Sequence, residues 1–212
     1  LSSSSAASDV YKRQAYVRDY PDGKYLAQAL LDIAASQRAN HKFNEAEESL
    51  AKIITSRPHS AQYPEALLSR AEILEYDLPG RTEDAAECYR QLEKSGNTDF
   101  IADAYAGIVR TSSEPDIVIE YARKARNAGG VAAEVAEEMS YCEATALMKK
   151  GEVQDALELL TSLAENPASE AGAKAALFAP DEKTAEYSKV DLADVDWLYG
   201  DEDAEYCQTI TY

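Results

Sequence analysis

Residues 30–58 read LLDIAASQRANHKFNEAEESLAKIITSRP, and residues 141–167 read YCEATALMKKGEVQDALELLTSLAENP. Each stretch places one alanine twelve residues before another, and two aliphatic residues and a proline follow: Ala34, Ala46, Leu50, Ile53 and Pro58, then Ala144, Ala156, Leu160, Leu163 and Pro167. Apolar residues at spacings of three and four indicate amphipathic helices, and a following proline indicates a helix end. Each stretch therefore predicts a helix, a tight turn and a second helix.

Two less regular units lie between these stretches, one with a longer turn around Leu78-Pro79-Gly80 and one in which Ser113-Glu114-Pro115 opens the second helix. The first-helix alanines of the four units are 37, 35 and 38 residues apart, at Ala34, Ala71, Ala106 and Ala144. Small residues let two helices approach closely, whereas larger residues fill the seams between neighbouring pairs. No single pair can bury its apolar face, so the pattern predicts stacked helix pairs.

The second helices resemble those of tetratricopeptide repeats, which recur at about 34 residues. The residues that carry the resemblance are Phe43, Ala46, Leu50, Ile53 and Pro58, and again Ala144, Gly151, Ala156 and Pro167. The family's first-helix Trp and Gly are replaced by Leu30 and Ala34. The resemblance covers residues 15–176 and implies an all-α fold, a right-handed superhelix (α-solenoid) of about four helical hairpins.

A narrower resemblance rests on Tyr20-Pro21-Asp22-Gly23, a turn that precedes a hairpin, together with residues 20–34 and 42–73. These segments are similar to multi-repeat envelope proteins of Bacteroidota, to lipoproteins that assist outer-membrane barrel assembly, and to the repeat protein of the Tol–Pal system. The resemblance implies a periplasmic or outer-membrane-associated location, although no signal peptide is visible. It also implies that residues 15–20 end a preceding second helix and that the array is a section of a longer one.

Both ends of the chain depart from this pattern. Residues 4–14 read SSAASDVYKRQ, which resembles the literal translation of a transposase-type sequencing adapter, so residues 1–14 are predicted to be an artefact. Residues 177–212 are rich in acidic residues and lack the helical pattern. Three interpretations of residues 177–212 stay open: an acidic tail, a divergent capping repeat, or frameshifted sequence.

Composition narrows the possible functions. The formal net charge of −18 disfavours nucleic-acid binding, because an acidic surface repels phosphates. No apolar run is long enough to predict a transmembrane segment. The three cysteines are far apart and predict neither a disulfide framework nor a metal site, while His41 and His59 are predicted to lie in turns. No catalytic or phosphate-binding motif is present, so the sequence predicts no enzyme and no cofactor.

The resemblance implies that the first helix of each hairpin lines a concave groove in which a protein or peptide partner lies. The outward positions of these helices are the partner-binding candidates: Gln28, Leu31, Ala35, Arg38, Leu68, Glu72, Glu75, Asp103, Arg110, Tyr141, Thr145 and Met148. We expect Arg38 and Arg110 to pair with partner carboxylates, and Leu31, Leu68, Tyr141 and Met148 to accept apolar anchors.

Chaperone-binding members of the family hold a C-terminal carboxylate with Lys and Asn on successive first helices. The matching positions are Leu31, Ala35 and Ser69, so recognition of a chaperone tail is not expected. The sequence predicts a non-enzymatic protein-interaction scaffold, part of a larger envelope protein. The alternative is a surface glycan-binding lipoprotein of helical-repeat type, which would need exposed aromatic platforms, and the one Trp lies within residues 177–212.

Overall fold

The structure, a computed structural model, describes residues 3–178, with side chains described from Tyr11 onward. This part of the chain forms ten α-helices and one π-helical segment: α1 (Ser3–Asp19), α2 (Leu26–Ala39), α3 (Phe43–Ser56), α4 (Tyr63–Glu72), the π segment (Ile73–Asp77), α5 (Thr82–Lys94), α6 (Ile101–Thr111), α7 (Pro115–Asn127), α8 (Ala133–Lys150), α9 (Val153–Ala164) and α10 (Glu170–Ala176). The predicted all-α class is confirmed for these residues.

Each helix packs mainly against the next one along the chain, from α1 on α2 to α9 on α10. Of residues 1–14, predicted to be an artefact, residues 3–14 lie within α1, and that prediction stays untested. Of the open region 177–212, residues 177–178 form a turn after α10, and the rest lies outside the described residues.

The repeated alanines lie where the sequence predicts close helix contact. All four first-helix alanines are buried, and so are Ala46, Ala85, Ala122 and Ala156 of the second helices. The apolar core accordingly divides into successive clusters, each built from helices that are neighbours in the chain. A helix pair in this arrangement depends on the next pair for burial of its outer face.

Two of the inter-helix turns share one hydrogen-bond pattern. At the end of α8, the N–H of Gly151 donates to the carbonyl of Met148 and the N–H of Glu152 to that of Leu147, both at 2.9 Å. The end of α2 repeats this pattern, with His41 (φ 58°) in the left-handed conformation that Gly151 (φ 81°) adopts. This is the Schellman ending of a helix, which needs one left-handed residue. The sequence prediction that His41 lies in a turn is confirmed, and its left-handed conformation is one that glycine adopts more readily.

Gly151→Ala is expected to lower the free energy of unfolding by about 1 kcal/mol, because a left-handed backbone brings a Cβ atom too close to the following carbonyl. Urea unfolding followed by circular dichroism measures the change. Gly129→Ala is the control, since an added Cβ would meet nothing within 4 Å there and φ is not positive. Equal stability of the two variants would contradict the role given to the Gly151 conformation.

The second unit differs from the others because its first helix continues as the π segment. The sequence shows only a longer turn at this point. In the structure, α4 passes into a wider helical turn at Ile73 before the chain leaves at Leu78. A π turn accommodates one extra residue without ending the helix, and it shifts the side chains that follow. Glu75 and Asp77 therefore take positions that a regular α-helix would not give them.

Candidate functional site: the first-helix face

The first helices form one surface of the molecule, which we call the first-helix face: α2, α4 with the π segment, α6, α8 and α10. Direct backbone contacts join α4 to α6, α6 to α8, and α8 to α10. The helices α2 and α4 approach less closely, and side chains connect them. All the predicted partner-binding residues belong to these helices or to the π segment, so the structure places the candidates on successive elements of one face.

Four of the candidates pair with one another across this face. Arg38 on α2 donates to Glu72 of α4 at 2.7 Å, and to Asp77 of the π segment at 2.9 Å. Arg110 on α6 donates to Glu75 of the π segment at 2.8 Å. The sequence predicted that both arginines meet carboxylates of a partner, and in this structure both meet carboxylates of the chain itself. Opposite charges on adjacent first helices thus hold one unit to the next.

The Arg110 pair belongs to a larger polar network. Glu75 also accepts a hydrogen bond from the hydroxyl of Tyr89, a fully buried residue of α5, at 2.6 Å. Burial, and then the hydrogen bond to Glu75, raise the pKa of the Tyr89 hydroxyl. Arg110 lies 3.7 Å from Glu138 of α8. Burial opposes the charge of Arg110, but the Glu75 carboxylate outweighs it and raises the pKa of the guanidinium. This network connects three first helices.

The remaining candidates divide by exposure. Leu31 and Met148 are buried, and Leu68 and Tyr141 are half-buried beside core clusters, so these four contribute more to packing than to an exposed surface. The hydroxyl of Thr145 donates to the carbonyl of Cys142. Asp103 is exposed on α6. Desolvation, and then the Glu72 carboxylate, raise the pKa of Asp103.

Three clefts open between successive first helices. One of about 340 Å³ lies between α2 and α4, and one of about 570 Å³ lies between α6 and α8 beside the start of α7. A third, of about 550 Å³, separates the first half of α8 from α10. Their volumes fall in the range in which proteins accept ligands or side chains of a partner. The first-helix face therefore has clefts into which a bound chain could insert side chains.

Sequence reasoning missed four residues of this face, namely Glu65, Tyr76, Asp77 and Glu138. Tyr76 and Asp77 follow Glu72, where the π segment breaks the regular helical spacing by which positions were assigned. In the sequence, the second unit has a longer stretch between Ala71 and the turn than the other units have. That length indicates a change in helical register, but it does not show whether the extra residues lie in the turn or in the helix.

Groups for catalysis or metal binding are sparse on the described residues. In the range 11–178, no group of three or more His, Cys, Asp and Glu side chains is arranged to hold a metal ion. His41 and His59 are exposed at turns, as predicted. Cys88 is buried and Cys142 half-buried, and burial raises the pKa of the Cys142 thiol to about 11. None of the helices described has the length and apolar character that crossing a membrane requires.

Comparison with protein-family models and with curated proteins finds no match for this chain. The residues and geometry of the first-helix face are therefore the basis on which a function is proposed.

Proposed function

We propose that this chain is a tetratricopeptide-type solenoid whose first-helix face binds a polypeptide partner, so that the protein acts as a non-enzymatic interaction scaffold. The observation that carries the proposal is that the first helices share one face: α4, α6, α8 and α10 approach one another in succession, side chains join α2 to α4, and clefts open between them. A face of this kind can contact an extended or helical segment over several units at once.

The packing supports the solenoid arrangement. Among residues 3–178, the substantial helix–helix contacts link elements that are adjacent in the chain or next but one. Such contacts are typical of a quasi-one-dimensional stack, in which each unit touches only its neighbours. The recurring alanines and the shared turns at His41 and Gly151 support four hairpins, α2–α3, α4–α5, α6–α7 and α8–α9, preceded by α1 and followed by α10.

The envelope location follows from the narrower resemblance alone, and it directs the choice of extract for a test.

Two threonines provide a matched pair of probe positions. Thr145 lines the cleft between α6 and α8, whereas Thr161 is exposed on the second helix α9. Both hydroxyls donate to a backbone carbonyl in the preceding turn of their helix. A photoreactive phenylalanine analogue at either position therefore changes the same local interaction.

Cross-linking in an envelope extract of a Bacteroidota species is expected to yield discrete protein adducts from position 145, and none above background from position 161. Thr145→Tyr should also reduce retention of the same proteins on immobilised chain, while Thr161→Tyr should leave retention unchanged. Equal adducts from both positions would overturn the proposal. So would retention of polysaccharide without protein, which is the outcome that the glycan-binding alternative predicts.

A further inference from the structure

Resting on the proposed function, we propose that the cleft between α2 and α4 is the anchor site of the first-helix face, and that it receives a large apolar side chain of a polypeptide segment that also carries a nearby Lys or Arg. The cleft combines an apolar lining with polar side-chain bridges on either side of it. Its lining, its flanking bridges and its charge each restrict what can bind.

The lining of the cleft is apolar, with small side chains along its walls and buried larger ones beneath them. Ala34, Ala35 and Ala39 on α2, with Ser69 on α4, open the space, and Leu31, Leu50 and Ile73 form its floor. Removal of apolar surface from water on binding favours a complex. A cleft of about 340 Å³ lies at the lower end of ligand-pocket volumes, so it suits a single anchoring side chain better than an extended ligand.

Polar bridges flank the cleft on two sides. At the N-terminal end of α2, the side-chain amide of Gln62 donates to that of Gln28 at 3.2 Å. At the other end, Arg38 spans to Glu72 and Asp77. Leu31 and Ala39, the first and last residues of α2 that line the cleft, are about 12 Å apart along the helix axis at 1.5 Å per residue. The cleft is therefore a slot about as long as two helical turns.

The charge around the slot selects a basic segment. Glu72 and Asp77 already engage Arg38, so one guanidinium faces two carboxylates. Glu65 on α4 lines the slot and has no ion-pair partner among the described residues. The surround thus carries three carboxylates against one cation, on a chain whose formal net charge is −18. A segment with Lys or Arg beside its apolar anchor satisfies Glu65, whereas an acidic segment would be repelled.

The test uses the full chain and a phage library of random peptides of about 12 residues as the probe. Selection on wild-type protein, with counter-selection on Ala35→Trp, is expected to enrich peptides with one Leu, Ile, Met or Phe and a Lys or Arg within about four positions. Synthetic copies should bind Ala35→Trp at least about tenfold more weakly, and Glu65→Lys about tenfold more weakly. High salt should weaken binding to wild type.

Two control variants match these changes. Glu48→Lys makes the same change of charge at an exposed position of α3, and Ala173→Trp adds the same side chain at an exposed position of α10. Both are expected to change the affinity less than about twofold, roughly 0.4 kcal/mol. Circular dichroism of every variant before binding confirms that the helices are retained. Because Ala35 and Glu65 are both exposed, the two variants probe the cleft independently of the core.

Enriched peptides that bind Ala35→Trp as tightly as wild type, or that carry Asp or Glu in place of Lys or Arg, would overturn the inference. Failure of this inference differs from failure of the proposed function. If cross-links form from position 145 but no selected peptide is sensitive to the cleft variants, the face binds a partner and this anchor assignment is wrong. If neither position 145 nor the cleft captures a polypeptide, both proposals are wrong.

Discussion

Gly107→Ala is expected to lower the free energy of unfolding by about 3 kcal/mol, although alanine normally stabilises a helix by about 1 kcal/mol relative to glycine. An added Cβ would lie 2.4 Å from three ring atoms of Tyr89. The ring has no room to withdraw, because Tyr89 is fully buried and its hydroxyl donates to Glu75. Glu75 in turn holds Arg110, which lies on the same helix as Gly107. The clash therefore opposes both the packing of α5 on α6 and the polar network of the first-helix face.

Urea unfolding followed by circular dichroism measures this effect, with Gly129→Ala as the neutral control. A double-mutant cycle with Tyr89→Leu tests its cause. The shorter side chain removes the clash. The free energy of unfolding of the double variant should therefore fall by about 1–2 kcal/mol less than the sum of the two single-variant losses. If the two losses simply add, the clash with Tyr89 is not the reason that position 107 requires glycine.

Replacement of both arginines beside Glu143 is expected to lower the free energy of unfolding by about 3 kcal/mol, which is the second large effect. Glu143 on α8 is almost completely buried, with a side-chain exposure of 3%, and both Arg123 and Arg126 of α7 donate to its carboxylate. The variant Arg123→Met with Arg126→Met leaves this carboxylate buried without a cation. Removal of the partners of a buried charge costs far more than the pair itself contributes.

The matching rescue variant adds Glu143→Met to the two arginine substitutions. It replaces the whole charged group with side chains of similar length, so we expect it to recover most of the loss and to lie within about 1 kcal/mol of wild type. Arg90→Met is the exposed control. The contacts of Arg90 with Glu83 and Glu87 are long and solvated, so this variant should lower the free energy of unfolding by less than about 0.5 kcal/mol. A triple variant no more stable than the double variant would show that the arginines act by packing rather than by charge.

Much of the fold could be predicted from the sequence because the helices are specified locally. Apolar spacing and terminators gave the α2–α3 and α8–α9 pairs, with the turns at His41 and Gly151. The prediction was least complete where an element depends on packing. Nothing in the spacing around Ala71 distinguishes a longer turn from the π segment, because both accommodate the same number of residues.

The candidate face was predicted in outline, since all its residues lie on the expected elements. Their partners were not predictable. Arg38 and Arg110 read from the sequence as cations available to a partner, whereas the structure pairs them with Glu72 and Glu75 on the neighbouring unit. Such pairs join residues 34 and 35 positions apart, a distance at which the stacking of units decides which side chains meet.

The sequence by itself determined that residues 3–178 are helical, where the turns at His41 and Gly151 lie, and which alanines are buried, because each depends on neighbours within a few turns of the chain. Only the tertiary structure decided that the first helices share one face, that the ring of Tyr89 lies against Gly107, and that α2 and α4 leave an apolar slot between them. Those features depend on side chains brought together from different units. Helical periodicity specifies which side of a helix is apolar, but it does not specify the distance between two packed helices.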